Sequence, residues 1–234
     1  MRFFLSKIQN LKSKIEMVDE YQIPRERMIQ RLREHYKIAD ERVLEVMSRT
    51  RRDLFIPEAL KSQAYKDNAL PIAANQTISQ PFIVARMTEL LELNPQSKVL
   101  EIGAGSGYQT VILSQLARKV FAIERVAQLA AETQNRLQNF GIQNVELRCA
   151  DGTNGWEAHA PFDAILVAAG SPLIPKPLLN QLKIGGKLVL PVGQDQKTQN
   201  LIRVTRTAKD FQTEDFGACA FVPLIGEHGW RNNQ

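Results

Sequence analysis

Two cysteines and three histidines among 234 residues leave little room for metal or thiol chemistry. Cys149 and Cys219 lie seventy positions apart, with no Cys-x-x-Cys pair and no histidine at ligand spacing. That rules out a disulfide scaffold, argues against a redox dithiol or a structural zinc site, and leaves the expectation of two ordinary core thiols, no metal and a reducing compartment. Long apolar runs are also missing: nothing approaches the roughly eighteen residues of a membrane span. The start, Met1-Arg-Phe-Phe-Leu-Ser-Lys7, is basic with a short apolar patch, but Lys12, Lys14 and Glu16 follow before a secretory core can build up. A soluble, cytoplasmic protein with no membrane partner is expected. Met17 offers a second start, which would make the first sixteen residues a dispensable extension.

What is present is an ordinary globular composition, 44% apolar and 24% charged. It suits one domain of roughly 200 residues with an appendage, burying roughly 70% of the unfolded surface. The net charge of +5 is uneven: residues 1 to 66 hold 15 Lys+Arg against 10 Asp+Glu, and the remainder holds 15 of each. Arg25, Arg27, Arg31 and Arg33, with Arg49, Arg51 and Arg52, could attract nucleic acid. Glu26, Glu34, Glu41 and Glu45 are interleaved with them at helical spacing, which favours a solvated helix face and no stable nucleic-acid partner.

From Ile23 to Met47 the apolar residues recur at three and four, predicting two helices joined near Ile38-Ala39-Asp40, with Asp40 as N-cap and Val43 as the first core residue. Pro57, Pro71 and Pro81 break residues 51 to 81 into short helix and loop, a suitable place for a substrate site. Beyond Pro81 helices and strands alternate. Helices are expected at 82–91, 108–117, 126–140 and 176–182, with strands at 98–102, 120–124, 144–149, 162–168 and 186–191. Residues 200–206 and 218–223 should add an antiparallel pair at one edge. The fold class is therefore α/β: a doubly wound, mostly parallel seven-stranded sheet with an N-terminal helical cap. The expected divisions are an extension (1–20), the cap and substrate loop (21–81), a cofactor domain (82–225) and a frayed polar tail (226–234).

The first strand ends in Gly103-Ala104-Gly105-Ser106-Gly107 and runs into a helix. A dinucleotide fingerprint needs its third glycine where Tyr108 stands, and the only Gly-Lys pair, Gly186-Lys187, runs on into a strand, so neither a pyrophosphate turn nor a P-loop matches. Acidic residues instead mark three successive strand ends: Glu101, then Glu124, then Asp151-Gly152. A carboxylate ahead of the turn would repel a pyrophosphate and suits a cationic ligand without phosphate, such as S-adenosylmethionine. Glu124 is placed to accept from both ribose hydroxyls, and Asp151 to meet the adenine amino group. Trp156 could pack against the same ring or serve as a loop aromatic.

Several segments carry a closer likeness. Leu70-Pro-Ile, Gln76-Thr-Ile-Ser-Gln-Pro81, Met87-Thr-Glu-Leu-Leu91, Val99-Leu-Glu-Ile-Gly103, Gly105-Ser-Gly-Tyr-Gln109, Ala160-Pro-Phe-Asp163, Leu190-Pro-Val-Gly193 and Phe221-Val-Pro-Leu224 resemble the protein-L-isoaspartate O-methyltransferase family. The resemblance spans about residues 28 to 224. It implies a methyltransferase-type fold and methyl transfer from S-adenosylmethionine to the free carboxylate of isoaspartyl residues in damaged proteins and peptides, starting their repair; a monomer is expected. Ser79 then corresponds to the active-site serine, with Asn75, Ile78 and Gln80 beside it in the substrate loop. The cofactor set is Glu101, Gly103, Ala104, Gly105, Ser106, Gly107, Glu124, Asp151 and Gly152. Ser79 could also serve as the N-cap of the helix that follows, since Ser-Gln-Pro is a good helix start, and the two roles are compatible.

The chemistry is consistent with this destination. A carboxylate of pKa about 4 is ionised at neutral pH and attacks without a general base. The protein has only to supply placement and a desolvated pocket. The chain departs from the family pattern at Ala73-Ala74-Asn75, where Gly-x-Gly is usual, and at Ala104 and Ala168, where threonines are usual. Cofactor binding is little affected by these changes; substrate preference and rate are more exposed to them. Two other readings stay open: a methyltransferase acting on another substrate such as RNA, and a cofactor-binding module without turnover.

Overall fold

Residues 19–231 are described by a computed structural model; the expected extension of residues 1–16 and the last three residues of the expected tail lie outside the described residues. Helix α1 (Gln22–Glu34) buries Met28, Ile29 and Leu32, and α2 (Glu41–Arg49) buries Val43, Leu44, Val46 and Met47, as the spacing predicts. Asp40 caps α2, accepting from the Arg42 N–H at 3.0 Å. Some of the interleaved charges pair on the surface, Arg33 with Glu41 at 2.7 Å and Arg49 with Glu45 at 3.3 Å, but the solvated face does not extend to the whole segment, since Arg52 is wholly buried and Arg25 largely so, paired with Asp19. Two short 3-10 turns (Arg52–Phe55 and Glu58–Gln63) lead into a small hairpin, β1 (Leu70–Pro71) and β2 (Thr77–Ile78), paired Leu70 to Ile78.

Helix α3 (Pro81–Leu90) starts at a proline whose missing N–H costs nothing there. Its N-cap residue is Gln80, with no side-chain cap, so Ser79 is not the cap that the sequence allowed. The capping acceptor comes from far away in sequence: Asp67 accepts from the Phe82 N–H at 2.9 Å and from the Tyr36 hydroxyl.

The main sheet comprises β3 (Lys98–Ile102), β4 (Lys119–Glu124), β5 (Val145–Cys149), β6 (Phe162–Val167), β7 (Leu182–Val192), β8 (Gln199–Arg206) and β9 (Phe211–Cys219), in the order β5-β4-β3-β6-β7-β8-β9. The first five are parallel; β8 and β9 are antiparallel additions. Helices α4 (Tyr108–Leu116), α5 (Ala127–Asn139) and α6 (Lys176–Asn180) connect the strands. Two-residue alternation splits the strands between two cores. Val99, Val120, Ala164 and Leu166 pack with Met87 and Leu113 of α3 and α4, while Leu100, Ile102, Ile123, Ile165 and Val167 pack with Trp156 and Leu178 on the other side. A third cluster joins the cap to α3 and α4 through Leu32, Leu44, Phe55, Val84 and Tyr108.

Two strands differ from their expected limits. β7 begins at Leu182 rather than Gly186, because Gly185 turns the chain at φ 81° and a register shift opposite Phe162 to Ala164 absorbs the irregularity. The last strand is Phe211–Cys219, not 218–223. Thr207 closes a short turn onto the carbonyl of Asp210 at 2.8 Å, so pairing resumes at once, and residues 220–223 leave the sheet to run past Gly170. Strand order reverses between β3 and β6, the point at which an open α/β sheet leaves a crevice beyond its carboxyl ends.

Candidate active site

The crevice is built on the turn after β3. Gly103, Gly105 and Gly107 have φ of 86°, 53° and 84°, a region where a side chain is strained, so the turn is written in glycine. It is pinned from both sides: the Gly103 N–H donates to the Ile123 carbonyl at 2.8 Å, and the Thr133 hydroxyl donates to the Gly105 carbonyl at 2.8 Å. Ser106 is buried and accepts from the Tyr108 N–H, while Arg136 donates to its carbonyl.

Two cavities open on this turn. The first, of about 120 Å³, is lined by Gly103, Gly105, Glu124, Gly152, Ala168 and the segment Val222–Ile225. The second, of about 40 Å³, is lined by Ile78, Ser79, Val84, Met87, Ala104, Tyr108 and Gln109. Thr77, Gly103, Gly105 and Ala168 line both, so the cavities meet at the glycine turn.

Each carboxylate of the predicted set sits differently. Glu124 lines the first cavity and is held by the Gly105 N–H at 2.9 Å and the Val126 N–H at 2.8 Å, one on each oxygen, which leaves each oxygen free to accept once more. Glu101 lines neither cavity. It lies wholly buried beneath the turn with no hydrogen-bond partner on either oxygen, and burial pushes its carboxyl up to about 8, against a smaller opposing effect of the Thr110 hydroxyl. Asp151 turns its carboxylate to the Thr153 N–H and hydroxyl and to the Glu227 N–H, at 2.7 to 2.8 Å. Those bonds hold it below the usual carboxylate range although burial opposes them. It is Gly152 that faces the cavity, packed so closely that a Cβ would fall 2.4 Å from Ile102 Cγ2. The cradle fits a ligand with vicinal hydroxyls and no phosphate: a turn with room for close approach, a half-satisfied carboxylate at its edge and an unpartnered carboxyl group beneath, whose ionised form a positive charge above it would favour.

On the second side, Ser79 lines the smaller cavity, and its hydroxyl makes no hydrogen bond among the described residues. Ile78 is buried beside it. Gln80 and Asn75 line neither cavity; Gln80 serves as helix cap through its backbone, and Asn75 is exposed in the left-handed region at φ 55°, directly after Ala74 at φ 56°. Trp156 belongs to the core: its backbone N–H donates to Gln181 Oε1 at 2.7 Å and its ring meets Phe121 edge-on. The tail is not frayed through 230, contrary to expectation. Glu227 and His228 bond to Asp151 and Thr153, and the Trp230 indole donates to the Gly170 carbonyl at 3.0 Å. Local polarity gives no sign of such distant partners. Sequence reading also passed over Gln109 and Val222–Leu224 as site residues, although both stood within quoted motifs.

Comparison with known proteins identifies the family. The family model for protein-L-isoaspartate(D-aspartate) O-methyltransferase covers residues 23–229. The chain belongs to this family. A protein-L-isoaspartate O-methyltransferase of Syntrophus aciditrophicus is 53% identical over 217 residues, covering 92% of this chain and 99% of the relative. One from Nitrosococcus oceani is 52% identical over 204 residues, covering 87% of this chain and 95% of its own. A solved structure described as a protein-L-isoaspartate O-methyltransferase from Plasmodium falciparum, in complex with S-adenosyl-L-homocysteine, has a TM-score of 0.74 at 25% identity, covering 86% of this chain and 98% of that one.

Proposed function

We propose that this chain methylates the free α-carboxylate of L-isoaspartyl residues in damaged proteins and peptides, using S-adenosylmethionine, and so starts their repair. One observation carries the reading within the family: two cavities meet at Thr77, Gly103, Gly105 and Ala168, one edged by a half-satisfied carboxylate and the other by an uncommitted serine hydroxyl. S-adenosylmethionine, when bound, supplies a methyl group on a positively charged sulfur that leaves as a neutral thioether. Glu124 is assigned to the ribose hydroxyls, the Gly103 to Gly107 turn with Ala104 and Ser106 to close backbone approach, and Asp151-Gly152 to the adenine rim. Glu101, a buried acid beneath the turn whose charged form an approaching cation would favour, is assigned to the positively charged end of the cofactor.

On the substrate side nothing has to remove a proton. The acceptor carboxylate is already ionised at neutral pH, so placement and exclusion of water are the whole task. Ser79 donates one hydrogen bond to the carboxylate and orients it. Ile78, Ile83, Val84 and Met87 supply apolar walls that strip water from it without binding it so tightly that it stops being a nucleophile. The cap residues before α3 hold this wall in place, with Asn75 and Gln80 on the loop that meets the peptide. A monomeric working unit is part of this proposal; Cys149, expected in the core, is exposed, and it and the half-buried Cys219 are free thiols, which suits a reducing, cytoplasmic setting. Among the described residues no helix is long and apolar enough to cross a membrane.

The test is methyl incorporation from labelled S-adenosylmethionine into an isoaspartyl peptide and its aspartyl twin. Transfer to the isoaspartyl peptide alone is expected. Equal transfer to both, or to neither with cofactor bound, would overturn the assignment.

A further inference from the structure

We propose that Gln109 reads the substrate: its side-chain oxygen accepts the α-N–H of the isoaspartyl residue while Ser79 holds the carboxylate on the same carbon. The proposal rests on the smaller cavity being the substrate side of the site.

The argument begins with a hydroxyl. Thr88, on α3 and almost fully buried, donates its single hydroxyl proton to the Val84 carbonyl at 2.7 Å. A hydroxyl has one proton, so toward any other neighbour Thr88 Oγ1 can only accept. Gln109, the second residue of α4, lies 2.9 Å from that oxygen. This network fixes which end of the carboxamide faces Thr88: it must be the nitrogen. Its oxygen therefore occupies the other limb of a half-buried side chain that lines the cavity with Ser79. That oxygen has no donor among the described residues, and it is not one of the buried polar atoms sealed from solvent.

What such an oxygen can bind follows from its chemistry. It only accepts, so it repels the carboxylate that Ser79 attracts and takes an N–H instead. No Lys, Arg or His lines this cavity, so no cation competes for it or draws the carboxylate away. In an isoaspartyl residue the α-carbon bears both a carboxylate and an N–H, so a donor (Ser79) and an acceptor (Gln109) in one cavity match the two groups. The pairing also separates isoaspartate from the side-chain carboxylate of an ordinary aspartate or glutamate, whose carboxylate-bearing carbon carries no N–H.

The test compares an isoaspartyl peptide with the same peptide methylated on the isoaspartyl nitrogen, in the parent protein and in Gln109→Met. In the parent, N-methylation should raise KM about tenfold. Gln109→Met should raise KM for the ordinary peptide by about the same factor and reduce the N-methyl penalty to within twofold. Thr88→Val, which frees the amide to turn, should shrink the penalty partly. S-adenosylhomocysteine affinity, which depends on the other cavity, reports that each variant is folded. An N-methyl penalty equal in parent and Gln109→Met would overturn the role of Gln109 while leaving the Ser79 site standing. Turnover indifferent to Ser79→Ala as well as to Gln109→Met would instead show that the substrate binds elsewhere, and both readings would fall.

Discussion

The two sides of the crevice are made of different materials. The cofactor side is backbone and short-range geometry: three left-handed glycines, a carboxylate two residues from one of the N–H groups it holds, and a strand end packed against Gly152. The substrate side is held by contacts between residues far apart in the chain. Asp67 caps α3 and anchors Tyr36, Arg52 is wholly buried with its Nε donating to the Ala64 carbonyl at 2.8 Å, and Tyr65 donates to Asp53. A turn made of backbone can be kept while the wall opposite it is rebuilt.

Breaking the cofactor side should have the largest effect. Glu124→Ala removes the acceptor for two backbone N–H groups and two ligand hydroxyls, so affinity for S-adenosylhomocysteine should fall about 10³-fold, about 4 kcal/mol, by calorimetry. Peptide KM extrapolated to saturating cofactor should change little. A loss below tenfold would mean that the ribose is held elsewhere.

Glu101 sharpens the comparison through pH. Its folded pKa of about 8 lies above the ordinary value of 4.5, so between those values the folded state keeps a proton that the unfolded chain has lost. Stability from this residue is full below about pH 4.5 and declines as pH rises through 8. Glu101→Gln should therefore stabilise the ligand-free protein at pH 9 by on the order of 3 kcal/mol and be nearly neutral at pH 5. A thermal-melt difference independent of pH would show that Glu101 is not the buried acid described.

The substrate side should break more gently and separately. Asp67→Ala leaves the start of α3 and the Tyr36 hydroxyl without their acceptor, costing about 1.5 kcal/mol of stability and raising peptide KM while leaving S-adenosylhomocysteine affinity within twofold. A parallel fall in cofactor affinity would erase the distinction between the halves.

This division also explains what could be read from the sequence. The strands β3 to β6 and the glycine turn were legible because a two-residue period and the demand for positive φ are local properties. Asp40 was recognisable as a cap for the same reason: its partner is two residues away. Asp67 was not, because its partner is fifteen residues on, and Ser79 looked like the cap in its place. The tail looked frayed because the groups that tether it, Asp151, Thr153 and Gly170, are sixty or more residues away. Gln109 escaped for a related reason: its orientation is decided by a threonine on another helix.

The smallest effect belongs to the loop itself. Ala74 sits at φ 56°, a region that disfavours any residue with a Cβ, so Ala74→Gly should relieve strain and stabilise by up to about 1 kcal/mol, with a small shift in peptide KM. Destabilisation instead would place the loop in another conformation.

The most direct measurement is Ser79→Ala in two assays side by side, turnover of an isoaspartyl peptide and calorimetric binding of S-adenosylhomocysteine. Two separately built halves meeting at the glycine turn predict turnover reduced at least about tenfold with cofactor affinity within twofold of the parent. Full turnover, or a loss of cofactor affinity matching the loss of rate, would contradict it.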